Sequence, residues 1–115
     1  MLTKITSPRF VGQVRVPTLP TLRRYGLTET TWLAILKRQK GVCGVCGKVP
    51  TSGILAIDHY HVRNWKRMSA DKRRTYVRGL VCTYDNRVWL RKGATPEKLK
   101  AAARYLEDYN KRNKG

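Results

Sequence analysis

Asp58, His59 and His61 stand together in the run Ile57-Asp58-His59-Tyr60-His61, which holds both histidines and one of only seven acidic residues in a very basic chain. On an extended backbone Asp58 and Tyr60 point to one face and His59 and His61 to the other, a spacing that suits a metal ligand beside a base. An imidazole near its unperturbed pKa is largely neutral at pH 7 yet basic enough to take a proton. The same side chains could ligate zinc or simply pack, and the residues alone leave all three uses open. A second group is Cys43-Gly44-Val45-Cys46, whose glycine lets backbone amides approach two thiolates in a tight knuckle. The three cysteines make a poor disulfide framework because one is left over. A metal ligand set explains an odd count better, although a redox pair shares the CxxC spacing.

These residues need elements to present them. Pro50, Ser52 and Gly53 mark a turn before the apolar run Ile54, Leu55, Ala56, Ile57, which reads as a strand delivering Asp58 and His59 at its end. Val77-Arg78-Gly79-Leu80-Val81-Cys82 reads as a second strand able to pair with it. A helix from Thr83 through Asn86, Val88, Trp89 and Leu90 to a stop at Gly93 sets Cys82 and Asp85 three apart on one face, with Asn86 beside them. Upstream, Thr28 as N-cap, Glu29 in the first turn and the apolar Trp32, Leu33, Ala34, Ile35 and Leu36 predict a helix over about residues 29–40, stopped by Gly41. Its basic end, Lys37, Arg38 and Lys40, answers to the helix dipole or faces a polyanion. Thr95-Pro96-Glu97 opens a last helix. Its stripe of Leu99, Ala102, Ala103, Leu106 and Tyr109 predicts packing on the domain or on a partner chain.

The 115 residues are one domain at most, and 25 Lys plus Arg against 7 Asp plus Glu give a formal net charge of +18 and a pI near 10.6. Such an imbalance points to a polyanion, nucleic acid above all, rather than to membrane headgroups or a surface tuned for solubility. No apolar run approaches the roughly 20 residues of a membrane span and no leader with a cleavage site is apparent, so the expectation is a soluble intracellular protein. Residues 1–26 carry Lys4, Arg9, Arg15, Arg23 and Arg24, three prolines and no acid. They read as a basic arm without a helix, loosely extended or forming edge strands, that tracks phosphates, embraces a second subunit or docks on its own domain. Residues 27–93 form the core and 94–115 the last helix. Within the core, residues 62–76 read as a basic exposed loop or short helix with Arg63, Lys66, Arg67, Arg73 and Arg74 as DNA contacts. Trp65 either stacks on an unpaired base or covers the core edge, and Arg78 is either a phosphate contact or a structural donor.

Taken in order, the CxxC, a strand ending in Asp58-His59-Tyr60-His61, the strand Val77-Arg78-Gly79-Leu80-Val81-Cys82 and Asn86 on a helix resemble the phage recombination endonuclease VII family of HNH, or ββα-metal, nucleases. The resemblance runs from Tyr25-Gly26-Leu27-Thr28 to Asn86, with a weaker similarity at Ala102-Ala103-Arg104-Tyr105-Leu106. It implies a compact α+β, zinc-stapled ββα-metal fold with flanking helices, in a DNA endonuclease of phage or prophage origin acting on branched DNA such as Holliday junctions. It further implies Asp58 and Asn86 as ligands of a catalytic Mg²⁺ (or Mn²⁺), His59 as general base, and His61 at the scissile phosphate or the leaving oxygen. One carboxylate and one amide oxygen suffice for Mg²⁺ when phosphate and water complete its shell. Where the family pattern has a fourth cysteine three residues after Cys82, this chain has Asp85, so the implied zinc set is Cys43, Cys46, Cys82 and Asp85, a combination zinc accepts. The family's dimers make a homodimer possible here, and its strand connection is short where this chain inserts residues 62–76. The other readings are an unselective HNH nicking or packaging nuclease, and a zinc-bearing DNA-binding module without turnover.

Overall fold

The computed structural model describes residues 9–112, so Lys4 and the rest of the first eight residues lie outside it. Strands β1 (Phe10–Val11) and β2 (Val14–Arg15) pair antiparallel about Gly12, whose φ of 60° closes the turn. Val14 and Val16 are buried in the core, and the Arg15 N–H donates to the Gly53 carbonyl at 2.7 Å. The N-terminal segment is therefore docked on its own domain. It also contains a helix, α1 (Leu19–Arg24), where the prolines predicted none. Thr18 caps that helix and Pro20 sits in its first turn, where a missing N–H costs nothing.

Helix α2 (Glu29–Arg38) starts at the predicted cap, through a reciprocal box in which Thr31 N–H donates to Thr28 Oγ1 at 3.1 Å and Thr28 N–H to Thr31 Oγ1 at 2.8 Å. Trp32 and Leu36, one turn apart, are fully buried. Gln39 is the C-cap, and the helix ends two residues before its predicted last residue because Lys40 and Gly41 both turn left-handed, with φ of 60° and 76°.

The site-bearing unit follows. Strands β3 (Leu55–His59) and β4 (Val77–Cys82) pair antiparallel, Leu55 opposite Cys82 through Asp58 opposite Gly79, and β4 runs directly into α4 (Thr83–Val88). The chain is thus a small mixed helix-and-strand domain, α+β in class. Helix α4 ends five residues short of Gly93, with Trp89 as C-cap. Between β3 and β4 the insertion folds into a 3₁₀ turn (Trp65–Arg67) and α3 (Ala70–Arg74), the latter capped by Ser69. It is pinned rather than loose. Arg73 donates to the carbonyls of Trp65 at 3.0 Å, Lys66 at 2.9 Å and Arg24 at 3.4 Å. Gly26, with φ of 70°, lets the end of α1 approach so closely that a Cβ there would lie 2.0 Å from the Ala70 carbonyl oxygen.

The last helix, α5 (Pro96–Arg112), begins with Thr95 Oγ1 accepting from the Lys98 N–H at 3.1 Å. None of its residues is buried, and Tyr105 and Leu106 are 74% and 59% exposed, so its apolar stripe does not pack on the domain as one of the two expectations held. No helix among the described residues is long and apolar enough to cross a membrane.

Candidate functional site

Asp58 and His59 occupy the last two positions of β3, and the pairing register slips between them: Asp58 lies opposite Gly79 but His59 opposite Val77. Arg78 is the extra residue, without a partner on β3. A bulge of this kind re-aims side chains at a strand end. Here the Arg78 guanidinium grips both oxygens of Asp58, Nε to Oδ2 at 2.8 Å and Nη2 to Oδ1 at 2.9 Å, with a longer bond of 3.4 Å to the Leu90 carbonyl. Asp58 is 4% exposed while Arg78 reaches solvent, so the pair is a buried carboxylate held from one open side.

His59 is half-buried under aromatic rings. Its centroid lies 4.5 Å from Trp65, 5.3 Å from Tyr25 and 4.8 Å from His61. Of the two expectations for Trp65 this geometry supports covering, and the ring it covers belongs to the site. Burial pushes the His59 imidazole below its ordinary 6.5, and the neighbouring His61 adds to that while Asp58 opposes it. His61, past the strand, is exposed.

Asp58, His59, His61 and Asn86 line one depression of about 280 Å³, together with Tyr25, Arg87 and Arg91. On one side it continues, across Tyr25, Ile57 and Asn86, into a hollow of about 310 Å³ reached by Arg15, Thr18 and Thr21. On the other, across His61, Arg91 and Lys92, it continues into one of about 150 Å³ that reaches Arg78 and Thr95. The three form a trough whose lining carries Arg15, Arg78, Arg87, Arg91 and Lys92 against a single acid, Asp58. Of the cations expected to touch DNA only Arg78 is among them. Arg63, Lys66, Arg67 and Arg74 are exposed elsewhere, Arg74 paired with Asp71, and Arg73 is spent on carbonyls. Sequence reasoning passed over Arg87 and Arg91, although they stand one turn apart directly after Asn86. Arg15 stood in the sequence only as one cation of a basic arm able to track phosphates; its place beside β3 is set by the fold.

The second cluster lies at the other end of the same hairpin. Ligand atoms of Cys43, Cys46, Cys82 and Asp85 all fall within 4.8 Å of one another. Tetrahedral zinc with bonds of about 2.3 Å to sulfur needs its ligands roughly 3.8 Å apart, so a small contraction would complete a site. Cys82 is the N-cap of α4 and Asp85 its N3 residue, which is what brings them together: the Cys82 thiol donates to Asp85 Oδ2 at 3.0 Å, and the Asp85 N–H reaches back to Cys82 Sγ at 3.5 Å. Cys43 Sγ lies 3.4 Å from the same oxygen and accepts N–H groups from Cys82 at 3.2 Å and Val45 at 3.4 Å. Burial pushes the Cys43 thiol up, but the backbone donors of Cys46, Cys82 and Val45 outweigh it and lower the net value. The bond to Asp85 pushes Cys82 up to about 11 and, reciprocally, holds the Asp85 carboxyl below its usual range. Three sulfurs, one oxygen and thiolate-stabilising amides fit a structural metal ion such as zinc.

Gln39, which carried no sequence signal, ties this cluster to the strand. Its Nε2 donates to the carbonyls of Leu80 at 2.7 Å and Val42 at 2.9 Å, and its Oε1 accepts from the Leu80 N–H at 2.8 Å. The Gly44 N–H adds a bond to the Leu80 carbonyl at 2.9 Å. Through these bonds knuckle, α2 and β4 share one network.

No curated protein and no solved structure matches the chain significantly. The family model for recombination endonuclease VII matches residues 19–108, which takes in α1, both clusters, the insertion and most of α5. The chain therefore belongs to the recombination endonuclease VII family, whose membership implies an endonuclease acting on DNA.

Proposed function

We propose that this protein is a Mg²⁺-dependent endodeoxyribonuclease of the HNH, ββα-metal type, that it cleaves branched DNA such as four-way junctions, and that it works as a homodimer. The observation that carries the reading is the shared depression: a buried carboxylate, a half-buried imidazole and an amide converge on one cationic trough. Asp58 and Asn86 supply the hard oxygen donors that Mg²⁺ or Mn²⁺ prefers. When bound, the cation would offset charge building on the phosphate and its leaving oxygen. His59, held by Tyr25 and Trp65 and lowered in pKa, takes the proton of the attacking water. His61 lies on the exposed side of the same depression and contacts the scissile phosphate or the leaving oxygen. Arg15, Arg87, Arg91 and Lys92 line the path of the strand on both flanks, and such phosphate contacts weaken with salt. The Cys43, Cys46, Cys82 and Asp85 cluster holds zinc and fixes where α4 leaves the hairpin.

The exposed apolar stripe of α5 supports the dimer, since symmetric cutting of two strands needs two sites related by a two-fold axis. The test is cleavage of a labelled four-way junction, a matched duplex and single strands with Mg²⁺. Junction cleavage is expected to dominate. Equal cleavage of duplex and junction removes the branched-DNA selectivity, and no cleavage of any substrate leaves a DNA-binding module. His59→Ala is expected to lose about 10²- to 10⁴-fold in rate while binding DNA unchanged; full activity would discard His59 as the base.

A further inference from the structure

The grip of Arg78 on Asp58 conflicts with a metal-ligand role for that carboxylate. Both oxygens are engaged at 2.8 and 2.9 Å, and the carboxylate is 4% exposed. A second cation would have to share them at close range from a like charge, where little water screens the repulsion. Yet Arg78 is free to leave. It is the bulged residue of β4, its side chain is 38% exposed, and it lines the hollow that adjoins the catalytic depression beside His61, Arg91 and Lys92. A guanidinium binds a phosphate with the same bidentate geometry that it uses on a carboxylate.

We propose that Arg78 is an exchangeable counter-ion: it occupies Asp58 in the DNA-free protein and transfers to a backbone phosphate when a strand fills the trough, which opens Asp58 to the divalent cation. Without Arg78 a buried carboxylate would stand unpaired in the free protein, a costly state. With it, cation and DNA binding become coupled, and each strengthens the other by the same factor. Arg78 is thus a positioning residue for Asp58, and both readings left open by the sequence, structural donor and phosphate contact, describe it at different stages. The inference rests on the nuclease reading insofar as Asp58 takes the cation.

Mn²⁺ binding, followed by electron paramagnetic resonance, tests it apart from cleavage. DNA-free Arg78→Gln is expected to bind Mn²⁺ more tightly than wild type, by a factor within the roughly 5- to 150-fold range of ordinary couplings, with Arg78→Lys between them. Mn²⁺ should also raise the melting temperature of Arg78→Gln more than that of wild type, because the ion replaces the missing partner of Asp58; this readout survives a loss of basal stability. In the His59→Ala background, in which turnover is slowed, a four-way junction should tighten Mn²⁺ strongly when Arg78 is present and less when it is Gln. Equal or weaker Mn²⁺ affinity in both variants, or a DNA effect independent of residue 78, overturns the proposal. If wild type cleaves while those results are obtained, only the exchange fails; if wild type does not cleave any DNA, the nuclease reading fails separately.

Discussion

Asp85 and Asn86 are consecutive residues of α4 that face opposite kinds of surroundings. Asp85 is 5% exposed among three sulfurs, in a cluster whose N–H groups are spent on thiols. Asn86 lines an open trough with five cations and one acid. The first environment suits a soft, closed, permanent ion, the second a hard ion that must admit water and phosphate. The two are not independent, because one short helix sets both. The closed cluster fixes where α4 begins, and that decides whether Asn86 reaches the hairpin end where Asp58 and His59 wait.

The largest expected effect breaks this dependence at Asp85. Asp85→Ala leaves three thiols, and a structural zinc contributes folding free energy directly. A loss of even about 3 kcal/mol would lower the melting temperature by roughly 12 °C in a domain of this size. Cleavage should fall with it although no residue of the trough has changed. Asp85→Cys, which restores a fourth sulfur, should bind zinc more tightly and keep cleavage. Purified protein with much less than one equivalent of zinc, and with unchanged melting in chelator, would show instead that packing alone holds the cluster.

A smaller effect separates the helix from the knuckle. Gln39→Ala removes three hydrogen bonds that clasp Leu80 and Val42. Leaving such part-buried groups unsatisfied costs about 1–3 kcal/mol, measurable by denaturant unfolding. Gly79 offers a check, since a Cβ there would meet Gln39 Oε1 at 2.7 Å. Gly79→Ala should therefore displace the Gln39 amide and cost about as much as Gln39→Ala when Gln39 is present, and little in the Gln39→Ala background. Strict additivity of the two would mean that a methyl at residue 79 leaves the clasp undisturbed.

The sequence made one half of this arrangement legible. Local signals worked where sequence pattern and backbone coincide: Thr28 as cap, β4 from Val77 to Cys82, and the one strand and one helix that carry Asp58, His59 and Asn86 to a common depression. Proline counting failed at α1 because position within the first turn, not number, decides whether a proline breaks a helix. Charge counting did not distinguish the cations of the insertion from those of the trough. The insertion's arginines looked like a phosphate-binding flap, yet Arg73 clamps backbone carbonyls and Trp65 roofs His59, while the trough's cations come from β2, β4, α4 and the turn after it. Which cation faces a site is a tertiary fact, and composition cannot rank cations by it. Gln39 was invisible for the same reason, since its partners lie 41 residues away at Leu80.

The smallest expected effect concerns pH and tests whether the insertion serves the open site. Burial is the main cause that lowers His59 from its ordinary 6.5, and Trp65 at 4.5 Å is the nearest ring covering it. A general base at His59 would have to be neutral, so a lowered value would keep it competent in more acidic solution. The acid limb of the cleavage rate should then lie below pH 6.5 in wild type. Trp65→Ala lets water reach the imidazole, removes part of the desolvation, and should move that limb upward while leaving the rate near pH 8 little changed; Trp65→Phe, which keeps a ring over His59, should leave the limb in place. The stability sign agrees: protonating a histidine whose folded value is depressed opposes folding, so wild type should lose stability as pH falls below 6.5 and Trp65→Ala should lose less. A limb that stays fixed in Trp65→Ala would mean that the insertion packs beside His59 without tuning it, and the open site would owe its chemistry to the hairpin alone.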